Sequence, residues 1–243
     1  MSTPSIQVVP NATAIAAAAA EKIIEIANAS IPQRGTFSIA LSGGSTPKTL
    51  FQLLATDDYI KRIDFKNWQI YFGDERCVPP AHPDSNFRMA RQALLDHVDI
   101  PPDHIHRMKG EIEPQQAAIE YGQLLKQNFG DAGPDVILLG MGDDGHTASL
   151  FPHTAALAET HHRCVANYAE KLGVWRLTMT APFINRARQI IVMVSGAAKT
   201  QRIDQVLQGP KDPQTLPIQM IDPTGGNLLW LIDAPAAGMD EAP

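Results

Sequence analysis

The sequence predicts an α/β fold with a mainly parallel sheet flanked by helices, and three observations carry that prediction. β-rich runs almost free of charge recur along the chain, the clearest being Val136-Ile137-Leu138-Leu139 and Gln189-Ile190-Ile191-Val192-Met193-Val194. Segments with helical patterning alternate with them, and uncharged strands alternating with helices belong to sheets covered on both faces. Four of the strands end in loops rich in glycine and small polar residues, after Leu41, Phe72, Leu139 and Val194. In such sheets ligands bind beyond the carboxyl ends of the strands.

The elements follow in order. Ser5 to Val9 is a first strand, and Asn11 is placed to cap an alanine-rich helix through about Asn28, ended by Pro32 and Gly35. Thr36 to Leu41 is a strand that stops at Ser42-Gly43-Gly44-Ser45-Thr46-Pro47, with a helix over Lys48 to Leu54. Trp68 to Phe72 is a strand ending at Gly73-Asp74-Glu75-Arg76, and a proline-rich loop leads to Ser85-Asn86 and a helix through Leu95. A short strand is expected at His104 to Met108 and a helix at Glu113 to Phe129. Arg163 to Asn167 and Arg176 to Thr180 are extended. After Val194 a helix runs from Ala197 to Leu207, and the runs Pro217 to Met220 and Leu228 to Ile232 close the fold. There is no internal repeat, and one α/β catalytic domain over residues 1–243 is expected.

Composition narrows the function classes. The chain has 243 residues, 44% hydrophobic and 19% charged, with a formal net charge of −6. That balance suits a soluble globular protein and disfavours nucleic-acid binding, which calls for a basic face; a monomer is expected, though composition does not fix the oligomeric state. No apolar run reaches membrane-spanning length, and Met1-Ser2-Thr3-Pro4 begins no signal peptide. Cys77 and Cys164 are far apart and fit a reducing cytoplasm without a disulfide framework.

The chemistry centres on Gly140-Met141-Gly142-Asp143-Asp144-Gly145-His146-Thr147-Ala148-Ser149-Leu150-Phe151-Pro152. It contains G-x-G-x-x-G after a strand, but two carboxylates in the loop would repel a pyrophosphate and Pro152 cuts short any helix. The alternative is that His146 is a general base oriented by Asp144 or Asp143. Ser42, Gly43, Gly44, Ser45 and Thr46 open a helix, where backbone N–H groups and the helix dipole suit a phosphate. Ser195-Gly196-Ala197-Ala198-Lys199 repeats that arrangement and adds an ammonium. Asp74 is placed to orient substrate hydroxyls, and Arg76 and Arg176 are candidate anion ligands. Glu75 suits an internal salt bridge. No G-x-S-x-G elbow and no H-E-x-x-H occur; His104, His106, His161 and His162 suit the surface, so no metal is expected.

Leu41 to Pro47, Gly73 to Arg76, Ser85-Asn86, Gly140 to Pro152, Arg176 to Thr180 and Ser195 to Lys199 together resemble the 6-phosphogluconolactonases of the glucosamine-6-phosphate isomerase/6-phosphogluconolactonase family. The motifs span most of the chain in the family's order. The resemblance implies a Rossmann-like fold similar to glucosamine-6-phosphate deaminase and ribose-5-phosphate isomerase. It also implies cofactor-free hydrolysis of 6-phospho-D-glucono-1,5-lactone in the oxidative pentose phosphate pathway. The implied substrate ligands are Ser42 to Thr46, Asp74, Arg76, Asn86, Arg176 and Lys199, around His146 and Asp144. One small departure and one discriminating position stand out. Thr200 replaces the alanine often found after the lysine, and Phe151 occupies the place where the related deaminases carry a catalytic glutamate before the proline. A sugar-phosphate sensor of this fold would bring a helix-turn-helix module and a basic face; neither is present in the sequence.

Overall fold

The computed structural model describes residues 4–239; Met1-Ser2-Thr3, within the segment expected to begin no signal peptide, lie outside them. The chain runs β1 (Ser5–Val9), α1 (Ala12–Arg34), β2 (Phe37–Leu41), α2 (Ser45–Leu54), α3 (Asp57–Ile60), β3 (Trp68–Phe72), β4 (Asp74–Arg76) and α4 (Asn86–Ala90). It continues through α5 (Pro114–Phe129), β5 (Val136–Leu139), β6 (Cys164–Ala169), β7 (Val174–Met179), α6 (Ala181–Ile184), β8 (Gln189–Val194), α7 (Thr200–Leu207) and β9 (Asn227–Asp233).

Six strands form one sheet in the order β1-β9-β8-β5-β2-β3, and every pairing in it is parallel. The uncharged runs occupy its middle: all residues of β5 and β8 are buried. Phe37, Phe65 and Trp68 pack ring against ring beside them, with Phe37–Trp68 centroids 4.8 Å apart. From β2 the chain steps outward to β3, then returns to β5 and proceeds through β8 and β9 the other way. The direction reverses between β2 and β5. At such a point the connections diverge to opposite sides and leave a crevice beyond the carboxyl ends of the strands.

The sequence did not disclose a second sheet. β4, β7 and β6 pair antiparallel, with Asp74 opposite Thr178, Glu75 opposite Leu177 and Arg76 opposite Arg176. Gly73 joins the sheets: its N–H donates to the Leu41 carbonyl at 2.9 Å, and its carbonyl accepts from the Met179 N–H at 2.8 Å. Asp74-Glu75-Arg76 is therefore strand rather than loop.

Helix boundaries differ where capping overrides propensity. Asn11 caps α1 by accepting from the Ala14 N–H at 3.0 Å. The helix runs past Asn28, with Pro32 in its last turns, and ends at Gly35 in the left-handed region. Proline so near the end removes one amide donor without breaking the body of the helix. Ser85 caps α4, which loosens into a π-helical turn over Arg91–Leu95. The expected strand at His104 to Met108 reduces to a 3₁₀ turn and one bridge, Ile105 to Ile70. That bridge draws His106 inward. Its ring stacks on Tyr71 at 4.6 Å and bonds Gln69 at 2.8 Å, so it is not the surface residue expected.

Candidate active site

Residues from all four expected loops line one cleft of about 270 Å³: Ser42 to Pro47 after β2, Asp74 after β3, Gly140 to Gly142 with His146 after β5, and Ser195 with Lys199 after β8. The neighbouring positions of β2, β5 and β8 bring distant loops together.

His146 is set by its own loop. Its Nδ1 lies 2.5 Å from Asp144 Oδ1, and its backbone N–H donates to the same oxygen at 3.1 Å. The loop closes through Gly142 N–H to the His146 carbonyl at 2.9 Å. A side chain at Gly142 would collide with the imidazole, since a Cβ there would lie 2.1 Å from both Cε1 and Nδ1. On the other side Phe151 packs against the ring with centroids 4.5 Å apart. Of the two acids left open by the sequence, Asp144 faces the imidazole.

Partial burial pushes the Asp144 carboxyl up, but the hydrogen bond and charge of His146 outweigh it and hold the group at about 2. The ordinary aspartate value is about 3.9. A carboxyl depressed by folding stabilises the fold above its unfolded value, and that contribution is lost as pH falls through the folded value. Thermal melts between about pH 4 and pH 2 are therefore expected to fall faster for the parent chain than for Asp144→Asn; parallel melting curves would contradict this pairing.

Asp143 turns the other way. Its carboxylate is ion-paired with Lys199, whose bond and charge lower the Asp143 pKa. Its carbonyl accepts from Arg202 Nε at 2.7 Å.

Asp74 is buried at the cleft wall and held from two sides. Ser149 Oγ donates to Oδ2 at 2.7 Å, while Asn86 Nδ2 donates to Oδ1 at 3.1 Å and to the Asp74 carbonyl at 2.9 Å. Asn86 is itself buried and does not line the cleft. Its amide is committed to Asp74, so it stands behind the site, a correction to its expected place among the substrate ligands. Glu75 forms no salt bridge among the described residues. It accepts from Ser85 Oγ and from the N–H groups of Arg76, Asn86 and Phe87, tying β4 to α4.

The two glycine junctions differ. Gly44 precedes α2 with no side-chain cap, and Ser45 and Thr46 of its first turn line the cleft. The open amides of a helix start suit an anion. At the second junction Asp233, from the end of β9, accepts from Ser195 Oγ and at 2.9 Å from the Gly196 N–H. A carboxylate already takes the Gly196 N–H, so that amide is not free for a phosphate, and Lys199 is the charge the junction brings to the cleft. Asp233 gave no signal in the sequence beyond its place at a strand end.

Arg76 and Arg176 do not line the cleft. Strand alternation sets Arg76 on the same face of β4 as Asp74, with Arg176 directly across. Among the described residues neither guanidinium forms an ion pair; Arg76 Nη1 donates to the Asp84 carbonyl at 2.6 Å. Burial, then the neighbouring Arg76 charge, lowers the Arg176 pKa. Two adjacent cations without a carboxylate partner favour an anion.

Residues 10–230 match the family model described as glucosamine-6-phosphate isomerases/6-phosphogluconolactonase. A 6-phosphogluconolactonase of Nostoc sp. is 43% identical over 97% of this chain and 98% of its own. The solved structure of the Trypanosoma brucei 6-phosphogluconolactonase superposes with a TM-score of 0.86 at 31% identity, covering 97% of this chain and 98% of that one. A monomeric glucosamine-6-phosphate deaminase, 20% identical, shares the fold with a TM-score of 0.81, covering 96% of this chain and 99% of its own. On the extent of the family match and the identity to its relatives, this chain belongs to the glucosamine-6-phosphate isomerase/6-phosphogluconolactonase family.

Proposed function

We propose that the chain, acting throughout as one catalytic domain, hydrolyses 6-phospho-D-glucono-1,5-lactone to 6-phospho-D-gluconate by general-base activation of water. The observation that carries the mechanism is the Asp144–His146 pair opening into a cleft that an uncapped helix start also lines. The sugar phosphate is held by the Ser42 to Thr46 turn and Lys199, with Arg76 and Arg176 as further anion ligands from β4 and β7, and Asp74 orients ring hydroxyls. With Asp144 holding Nδ1–H, the other ring nitrogen of His146 accepts a proton from water. The resulting hydroxide forms a bond to C1. The bond from C1 to the ring oxygen then breaks, and the imidazolium returns its proton to that oxygen. N–H groups of the glycine loop stabilise the oxyanion.

Phe151 favours this reading over ring-opening deamination. The position before Pro152 carries an aromatic ring against His146 in place of a carboxylate. The decisive experiment is a lactonase assay corrected for spontaneous hydrolysis, run beside ammonia release from glucosamine 6-phosphate. Turnover in the second assay and none in the first would select the deaminase.

Arg76→Ala and Lys199→Ala are each expected to raise KM for the phosphorylated lactone more than they lower kcat. Equal losses on an unphosphorylated lactone would remove them from phosphate binding. The free thiols Cys77 and Cys164 support a cytoplasmic setting, and we infer a monomer acting on a small-molecule sugar phosphate. No helix among the described residues is long and apolar enough to cross a membrane.

A further inference from the structure

Asp143 is the acid of the catalytic loop that the mechanism leaves unused. Its carboxylate, 86% exposed, holds the Nζ of Lys199, whose side chain is only 21% exposed and lines the substrate cleft. The loop is tied down on both sides of Asp144, because Arg202 of α7 grips the Asp143 carbonyl and the Gly145 carbonyl accepts from the Ile218 N–H at 3.0 Å. The carboxylate therefore stays within reach of Lys199, while its exposure leaves it free to swing into solvent.

We propose that Asp143 is a built-in competitor for the substrate phosphate: it occupies the Lys199 ammonium when the cleft is empty and must yield it when a phosphate enters. The proposal rests on Lys199 being a phosphate ligand. A phosphate monoester carries about −1.5 to −2 charge near pH 7, against a single charge on a carboxylate. Such a competitor lowers the affinity for every anion at Lys199 by one common factor, and the greater charge of a phosphate lets it still take the ammonium. Asp143 thereby sets how tightly the cleft holds a phosphate.

The test is titration of the full chain with inorganic phosphate and with 6-phosphogluconate by calorimetry, beside steady-state kinetics on the lactone. Asp143→Asn is expected to tighten both ligands about two- to fivefold, the range for exposed ion pairs, and to lower KM more than it changes kcat. Asp143→Glu, which keeps the charge, is expected to bind as the parent does. The gap between Asp143→Asn and the parent is expected to narrow at high salt, where exposed pairs are screened. Unchanged or weaker phosphate binding in Asp143→Asn would overturn the proposal and make Asp143 a support for Lys199. Lys199→Met separates the two levels. If it binds phosphate as the parent does, Lys199 is no phosphate ligand and both readings fall; if it loses phosphate while Asp143→Asn is neutral, only the competitor role falls.

Discussion

Replacing His146 with alanine is expected to lower kcat by about 10²–10⁴-fold, the span for loss of a positioned general base. KM should change little, because the groups assigned to the phosphate lie on other elements: Ser42 to Thr46, Arg76, Arg176 and Lys199. The fold should survive, since the imidazole is 31% exposed and its side-chain partners are confined to Asp144 and Phe151. Asp144→Asn should fall in the same range by another route. An amide that turns its NH₂ toward Nδ1 stabilises the tautomer with the proton on Nε2, which can no longer accept one from water. The measurement is lactone turnover against a spontaneous-hydrolysis blank. Undiminished kcat in His146→Ala would end the general-base assignment, whereas loss in His146→Ala without loss in Asp144→Asn would reduce the acid to packing.

The parts of this site legible in the sequence were those built from neighbours along the chain. Gly142, Asp144 and His146 meet through a turn they themselves form, and the Ser42 to Thr46 turn announces an anion-favouring helix start by its composition. The convergence of four loops was legible too, because parallel strands place their carboxyl ends on one side. What stayed hidden depends on lateral order and on register. Nothing local says that Asp233 of β9 will sit beside β8 and cap the Ser195-Gly196 turn. Nor does anything local say that Gly73 will pass the chain to a second sheet, setting Arg76 across from Arg176. Asn86 illustrates a different limit. Its place beside a candidate site was evident, but whether its amide faced substrate or Asp74 depended on Gly43 lacking a Cβ, which would lie 2.0 Å from the Asn86 oxygen.

Gly142→Ala is expected to impair catalysis nearly as much as removing part of the base, without any change to an ionisable group. Gly142 is not in the left-handed region, so its backbone accepts alanine; the obstacle is the imidazole. The new methyl would lie 2.1 Å from two ring atoms and 2.9 Å from a third, where ordinary contact begins at 3.4 Å. The Gly142 N–H to His146 carbonyl bond fixes the backbones to each other, so the ring must retreat by more than an ångström. That movement breaks the 2.5 Å contact with Asp144 or drives the ring into Phe151. Misplacement of a catalytic group on this scale costs about 10²-fold in rate. A double-mutant cycle distinguishes the cause, because mutations acting through one group are not additive. If displacement of the imidazole is the whole effect, Gly142→Ala should lower kcat in the parent chain yet do almost nothing once His146 is already alanine. The methyl should also lower the melting temperature only while the ring is present. An additive cycle would mean that Gly142 serves the reaction through the shape of the cleft, and the geometry of the base would then rest on Asp144 and Phe151.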